Sequence, residues 1–128
     1  MKKRLLLLSG LIISGFSFSQ IYSENFESYA AGSYICVQNP TYWATWTAGQ
    51  QGGAQDVMIN TTQASSGSNS LYLASTAANG GPQDIILKFG QLYNSGIFTL
   101  QSDFYVNAGK NAYFNVQGAL AMGQVWAL

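Results

Sequence analysis

Short runs of alternating hydrophobic and polar residues follow one another along the chain from about residue 20 onward. The clearest run is Ile97–Val106, in which Phe98, Leu100, Phe104 and Val106 fall on one side of the alternation. Because successive side chains of a β-strand point to opposite faces, this pattern predicts a strand with one buried face.

Residues 84–89 form a second run with the same period of two. The odd-numbered residues are apolar and are predicted to face inward, whereas Asp84 and Lys88 are predicted to face outward. Ile86 interrupts the polar face. An apolar residue at that position indicates a covering layer or a partner on the outer side of this strand.

Shorter runs complete the predicted set of strands, and turn-forming Gly, Asn, Ser and Pro residues separate them. No helical spacing of apolar residues extends over ten residues after the first twenty. We therefore predict an all-β fold of two packed antiparallel sheets, a β-sandwich. The further strands are predicted at Leu71–Leu73, Tyr113–Gln117, Ile21–Phe26, Tyr34–Val37, Tyr42–Trp46, Val57–Asn60 and Gln124–Leu128.

The first 19 residues have the pattern of a signal peptide. Three basic residues precede an apolar run of about a dozen residues, and Ser17 and Ser19 supply the small residues of a cleavage site before Gln20. The run is too short to cross a bilayer, which needs about 20 apolar residues. We expect no membrane span, residues 1–19 to be removed, and residues 20–128 to form a secreted or outer-surface domain.

The chain ends at residues 123–128 in an apolar, strand-like run without a polar tail. This ending predicts that the β-sandwich is incomplete at its C-terminus and that downstream domains of the same protein follow.

Charge and composition exclude several functions. Beyond the basic N-terminus the chain carries two lysines and five acids, a net charge of 2 − 5 = −3, which excludes nucleic-acid binding through a basic surface. The sequence contains no histidine, which excludes His-activated nucleophiles and His-ligated zinc. Cys36 is the single cysteine, so no intrachain disulfide forms, and its apolar neighbours predict a buried side chain.

Three aromatic residues, Tyr42, Trp43 and Trp46, are the candidates for ligand binding. On a strand Tyr42 and Trp46 share a face and Trp43 points the other way, so one pair at most lines a single platform. Stacking against a sugar ring is one interpretation. Packing in the core of the sandwich is the other.

Several segments resemble, in order, the N-terminal jelly-roll domains of secreted Bacteroidetes proteins that use type IX secretion. Glu24–Tyr29 resembles their "DFE-s-Y" opening, Asn39–Trp46 their "W-x-x-W" segment, and Gly53–Val57 their "G-x-E-D" step with Gln55 in place of the usual acid. Ala64–Leu73 is similar to the "SG-xx-SL" strand entry shared with carbohydrate-binding jelly rolls and with laminin-G-like or MAM-like domains. Gly109–Gln117 resembles a "GK-x-AY-F-N-x-Q" element of the same group.

The resemblance implies a concanavalin-like jelly roll, and it also implies a metal site. Related domains bind a structural calcium ion through an early-strand glutamate, which would be Glu27 here, with Asp56 contributing. Calcium takes six to eight oxygen ligands. The alternative is that Glu27 is solvated or caps backbone amides, and that the chain has no cofactor.

The function expected from the sequence is a non-catalytic module that binds a glycan or a cell-surface partner. The alternative is a structural spacer within a larger secreted protein, without a ligand site of its own. An enzyme is not expected, because the Glu-x-Asp-x-x-Glu type of cluster used by concanavalin-type glycoside hydrolases does not occur in the sequence.

Overall fold

The computed structural model describes residues 20–75 and 77–118. In this part of the chain the regular elements are one short helix and four short strands. Strands with little helix, paired into small antiparallel sheets, confirm the all-β class. The elements are α1 (Ile35–Gln38), β1 (Trp43–Thr45), β2 (Met58–Asn60), β3 (Ser70–Tyr72) and β4 (Ile85–Leu87).

The strands form two antiparallel pairs. β1 pairs with β4, with Ala44 opposite Ile86, and β2 pairs with β3, with Ile59 opposite Leu71. Each of the four strands lies within a run predicted from alternation or overlaps one. The observed strands are shorter than those runs, at three residues each.

Both sheets contribute to one hydrophobic core. Its fully buried members are Ile35, Cys36, Val57 and Ile59, and the partly buried residues that pack against them are Phe26, Tyr29, Trp43, Leu71 and Ile85. Trp43 and Ile85 come from the β1–β4 sheet, whereas Ile59 and Leu71 come from the β2–β3 sheet. The two sheets therefore bury apolar side chains in the same interior, which is the principal source of stability in a small domain.

The strand predicted at Tyr34–Val37 is wrong. Tyr34 makes an isolated antiparallel bridge to Met58, and the chain then turns into the single helical turn α1. The backbone N–H groups at the start of this turn have acceptors elsewhere: Ile35 N–H donates to the Val57 carbonyl, and Cys36 N–H donates to the Asp56 carboxylate. Those bonds stabilise a helical turn that the alternation alone does not reveal.

The strand predicted at Ile21–Phe26 is also wrong. The Glu24 carboxylate accepts hydrogen bonds from the N–H groups of Asn25 and Phe26, and Phe26 adopts a positive φ of 64°. An acidic side chain that binds the next amides favours a turn over an extended strand.

The strand predicted most clearly, Ile97–Val106, is wrong, and so is the one at Tyr113–Gln117. Neither segment forms a strand in the structure, and Ile97 is 97% exposed. Alternation predicts which side chains a strand would bury. A strand also needs a neighbouring strand whose backbone forms hydrogen bonds with its N–H and C=O groups.

Some predictions fall outside the described residues. The signal peptide at residues 1–19 and the strand at Gln124–Leu128 lie there. Among the described residues, no helix has the length and apolar character needed to span a bilayer.

Candidate functional site

The outer surface of the β1–β4 sheet brings together two of the three predicted aromatic residues. Trp43 and Ile85 pack inward, and Thr45 is buried, so strand alternation places Ala44 and Ile86 on the outer surface and the flanking residues Tyr42, Trp46, Asp84 and Lys88 in register with them. We call this outward surface the aromatic face. It comprises three cross-strand pairs: Tyr42 with Lys88, Ala44 with Ile86, and Trp46 with Asp84.

Backbone hydrogen bonds fix both ends of the aromatic face. Lys88 N–H donates to the Tyr42 carbonyl at 2.7 Å, and Trp46 N–H donates to the Asp84 carbonyl at 3.0 Å. These bonds continue the antiparallel register by one pair beyond each end of β1 and β4. Tyr42 and Trp46 are four residues apart, which separates their Cα atoms by about 13 Å along the strand.

Tyr42 stands at one end of the face beside Tyr22. The two ring centroids are 4.4 Å apart with an angle of 33° between the ring planes, and both rings are partly buried. The ammonium group of Lys88, the cross-strand neighbour of Tyr42, donates a hydrogen bond to the Pro40 carbonyl at 2.7 Å. This contact holds the lysine at the Tyr42 end and away from Asp84.

Trp46 and Asp84 form the other end of the face. Asp84 N–H donates to the Gln55 carbonyl, so the backbone of Asp84 is held on both sides. Burial raises the pKa of the Asp84 carboxyl above its ordinary value. Trp46 is partly exposed, and the register places it directly opposite Asp84 on the neighbouring strand.

The loop from Thr47 to Asp56, which supports the Trp46 end, is closed by its own side chains. Thr47 N–H donates to the Gln55 side-chain oxygen at 2.8 Å, and the Gln55 amide donates to the Thr47 hydroxyl at 2.9 Å. Gly52 N–H donates to the Asp56 carboxylate at 2.8 Å. These hydrogen bonds within the loop hold it in a defined conformation next to Trp46, at the end of β1.

Trp43 lies on the opposite side of β1 from the aromatic face, as the alternation predicts. Its indole N–H donates to the Tyr22 hydroxyl at 2.8 Å, and that hydroxyl donates to the Glu24 carboxylate at 2.9 Å. The Tyr29 hydroxyl donates to the same carboxylate oxygen at 2.7 Å. Burial, together with the neighbouring Glu24, raises the pKa of the Tyr22 and Tyr29 hydroxyls, so both remain protonated donors.

The two acids proposed as calcium ligands bind backbone amides of different segments. Glu27 accepts from Ser68 N–H at 2.8 Å and from Asn69 N–H at 2.7 Å. Asp56 is buried, and its carboxylate accepts from the N–H groups of Cys36, Gly52 and Val57. Both carboxylates therefore act as anchors for turns of the chain.

No described residues form a cluster of three or more His, Cys, Asp or Glu side chains that could hold a metal ion. The donors around the Asp56 carboxylate are the backbone N–H groups of Cys36, Gly52 and Val57. Calcium binding through Glu27 and Asp56 stays a prediction of the resemblance.

Cys36 is buried, as the sequence predicts. Burial, with a further contribution from the Asp56 carboxylate, raises the pKa of its thiol to about 12. A thiol with that pKa stays protonated at neutral pH and is a poor nucleophile.

Sequence reasoning placed Asp84 and Lys88 outward but did not place them on one face with Trp46 and Tyr42, because that depends on the β1–β4 register. Tyr22 was placed in a strand and not beside Tyr42. The sequence feature that pointed to this surface was Ile86, an apolar residue on the outer side of β4. That Ala44 lies opposite it could not be predicted, because the register is not encoded in any local pattern.

Comparisons with known protein families, with curated proteins and with solved structures found no match for this chain.

Proposed function

We propose that the protein is a non-catalytic, secreted or cell-surface module that binds a glycan through the aromatic face. A β-sandwich of the jelly-roll type is the architecture we propose for it. The shared core between the β1–β4 and β2–β3 sheets supports that architecture, because a sandwich buries the inner faces of two sheets against each other.

The observation that carries the proposal is the register of the β1–β4 sheet, which puts Tyr42 and Trp46 at the two ends of a face whose middle is Ala44 and Ile86. Two partly exposed aromatic rings at the ends of a short, shallow apolar strip can stack against the C–H faces of successive sugar rings. Aromatic rings at recognition surfaces supply a large contact area with few rotatable bonds. The backbone hydrogen bonds at both ends hold the main chain of Tyr42 and Trp46 at a fixed spacing before a ligand binds, which reduces the entropy lost on binding.

The composition of the face supports binding without catalysis. Asp84 is the one carboxylate among its six residues, whereas glycoside hydrolysis uses two carboxyl groups about 5–9.5 Å apart. A single carboxylate beside an indole can accept hydrogen bonds from hydroxyl groups, but it cannot serve as both acid and base. The face therefore suits recognition.

The experiment is a glycan array and a pull-down on insoluble polysaccharides with the purified chain and three variants. We expect Tyr42→Ala and Trp46→Ala each to weaken retention by about tenfold, since one aromatic contact contributes roughly 0.5–1.5 kcal/mol beyond its buried area. Tyr105→Ala is the matched control, because Tyr105 is 67% exposed and lies outside the face. Thermal unfolding of each variant shows whether its fold is intact.

Two results would contradict the proposal. Retention that is unchanged in both Tyr42→Ala and Trp46→Ala would remove the aromatic face as the binding surface. Absence of retention on every glycan tested would favour the spacer function instead.

A further inference from the structure

The acids of the described chain differ in how their carboxylates are satisfied. Glu24, Glu27 and Asp56 accept backbone or hydroxyl hydrogen bonds, and Asp103 accepts from the Ser65 hydroxyl. Among the described residues, no donor reaches the side chain of Asp84. The carboxylate that lies on the aromatic face is therefore the one acid of this region whose oxygens are left for a ligand.

Asp84 occupies a fixed position at the Trp46 end of the aromatic face. Its backbone N–H and C=O are both used, by Gln55 and by Trp46, so its location is fixed even though its carboxylate is not. Burial raises the pKa of this carboxyl above its ordinary value, and the residue as a whole is exposed. A carboxylate that is exposed, fixed through its backbone and without a donor from the described chain can accept hydrogen bonds from a ligand.

The surrounding charges restrict what such a carboxylate can accept. Lys88, the single cation on the face, donates to the Pro40 carbonyl at the Tyr42 end and does not neutralise Asp84. The described chain carries two lysines and five acids, a net charge of 2 − 5 = −3. An anionic ligand would meet like charge at Asp84 and in the net charge of the described residues, and like-charge contacts at an interface disfavour such a ligand.

We propose that Asp84 is the hydrogen-bonding anchor of the aromatic face and limits its ligand to neutral glycans. This inference rests on the proposed function and specifies its ligand class. In the bound state, hydroxyl groups of a sugar ring that stacks on Trp46 donate to the two oxygens of Asp84, while Tyr42 receives a ring further along the glycan. Uronic acids and sulfated sugars are rejected, because their negative groups would lie against an unneutralised carboxylate.

The test uses a glycan array that contains neutral glycans and their uronic-acid or sulfated counterparts. We expect the wild-type chain to bind neutral glycans and to leave the acidic counterparts unbound. Asp84→Ala is expected to lose at least about tenfold of the neutral-glycan signal, as for removal of a hydrogen bond to a charged group. Asp84→Asn, which keeps an acceptor but removes the charge, is expected to retain most neutral binding and to gain signal on acidic glycans.

Asp103→Asn is the matched control, because it makes the same change in net charge at an exposed acid outside the face. If Asp103→Asn gained acidic glycans as strongly as Asp84→Asn, the selectivity would come from overall charge and the inference would be overturned. Equal wild-type binding to neutral and acidic glycans would also overturn it. Thermal unfolding checks that each variant is folded.

The array separates failure of this inference from failure of the proposed function. If Tyr42→Ala and Trp46→Ala abolish neutral-glycan binding while Asp84→Ala leaves it unchanged, the aromatic face is the site and the role of Asp84 is wrong. If the wild-type chain binds none of the glycans, both the site and the role of Asp84 are wrong.

Discussion

Two regions of this protein have similar hydrophobic alternation but different structures. In residues 20–75 and 77–90, which we call the packed body, short strands pair with one another and surround a common core. In residues 91–118, the extended segment, the alternation is longer and cleaner, yet the side chains from 91 to 115 are all exposed. The length of an alternating run therefore does not predict whether that segment pairs with another strand.

What distinguishes the packed body is a set of anchoring carboxylates. Asp56 binds three backbone amides, Glu27 binds the turn before β3, and Glu24 binds two amides and two tyrosine hydroxyls. The acid of the extended segment, Asp103, accepts from the exposed Ser65 hydroxyl and from no backbone amide of the described residues, and the segment otherwise holds mainly ring contacts, such as Phe104 against Phe114 with centroids 5.1 Å apart. Charge-assisted hydrogen bonds fix backbone geometry, whereas exposed ring contacts do not.

The largest effect is expected from removal of the buried anchor. Asp56→Ala would leave the N–H groups of Cys36 and Val57 buried without an acceptor, which we expect to lower the free energy of unfolding by about 3–5 kcal/mol. Asp103→Ala, in the extended segment, is the control and should change it by less than about 0.5 kcal/mol. Urea denaturation of both variants measures the difference. Equal destabilisation would show that the two regions do not differ in this way.

A matched pair of isoleucines tests the core. Ile59→Ala is expected to lower the free energy of unfolding by about 2–5 kcal/mol, because Ile59 is 1% exposed and its removal leaves a cavity. Ile97→Ala, at a residue that is 97% exposed, should alter stability by less than about 0.5 kcal/mol. A destabilisation by Ile97→Ala close to that of Ile59→Ala would mean that the extended segment is packed in solution.

Two glycines with the same backbone conformation give a smaller contrast. Gly67 and Gly109 have φ values of 65° and 74°. A Cβ at position 67 would lie 2.5 Å from the Glu27 carboxyl carbon, whereas a Cβ at position 109 would meet nothing within 4 Å. We expect Gly67→Ala to destabilise by about 2–3 kcal/mol, from left-handed strain and displacement of Glu27, and Gly109→Ala by about 1–2 kcal/mol from strain alone.

Thermal denaturation followed by circular dichroism ranks these two glycine variants. Glu27→Gln combined with Gly67→Ala should recover part of the lost stability relative to simple addition of the two effects, because both changes disturb one contact. Strict additivity would contradict the proposed contact.

The smallest effect at neutral pH concerns Cys36. Because burial raises the pKa of its thiol to about 12, the folded state keeps the proton while the unfolded chain releases it near pH 9. The free energy of unfolding should therefore be unaffected below about pH 8 and should fall as the pH rises from 9 toward 12. Denaturant unfolding from pH 7 to 10.5 measures this dependence.

Cys36→Ala is the control for this titration, since Tyr22 and Tyr29 also have raised pKa values and contribute a decline of the same sign. The difference between the wild-type and variant slopes isolates the thiol. Identical slopes would mean that the thiol has the same pKa in the folded and the unfolded protein, which would contradict the raised pKa.

The alternation predicted strands correctly in the segments that have a neighbouring strand to pair with. The runs that contain β1, β2 and β4, and the one that overlaps β3, were identified from alternation alone. The same alternation predicted a strand at Ile97–Val106, and this prediction is wrong. Alternation describes a single strand, whereas a sheet also requires a second strand to pair with it. Tyr34–Val37 failed for a related reason: its amides are bound by Val57 and Asp56, some twenty residues away.

The candidate site divides in the same way. That Tyr42 and Trp46 share a face and that Trp43 does not follows from the geometry of one strand. The placement of Asp84 beside Trp46 follows from the β1–β4 register, which pairs residues about forty positions apart and is set by packing of both inner faces. The local pattern therefore predicts that the two aromatic residues share a face, whereas the position of Asp84 beside Trp46 depends on tertiary packing.

The turn at residues 107–110 has a practical consequence for anyone who wishes to handle this protein. Lys110 lies there on an exposed turn closed by its own N–H bond to Asn107, whereas the ammonium group of Lys88 is occupied by Pro40. An amine-reactive dye or a surface linker would thus attach preferentially at Lys110 over Lys88. Because Lys110 is not part of the aromatic face, immobilisation there would leave that face open to an applied polysaccharide.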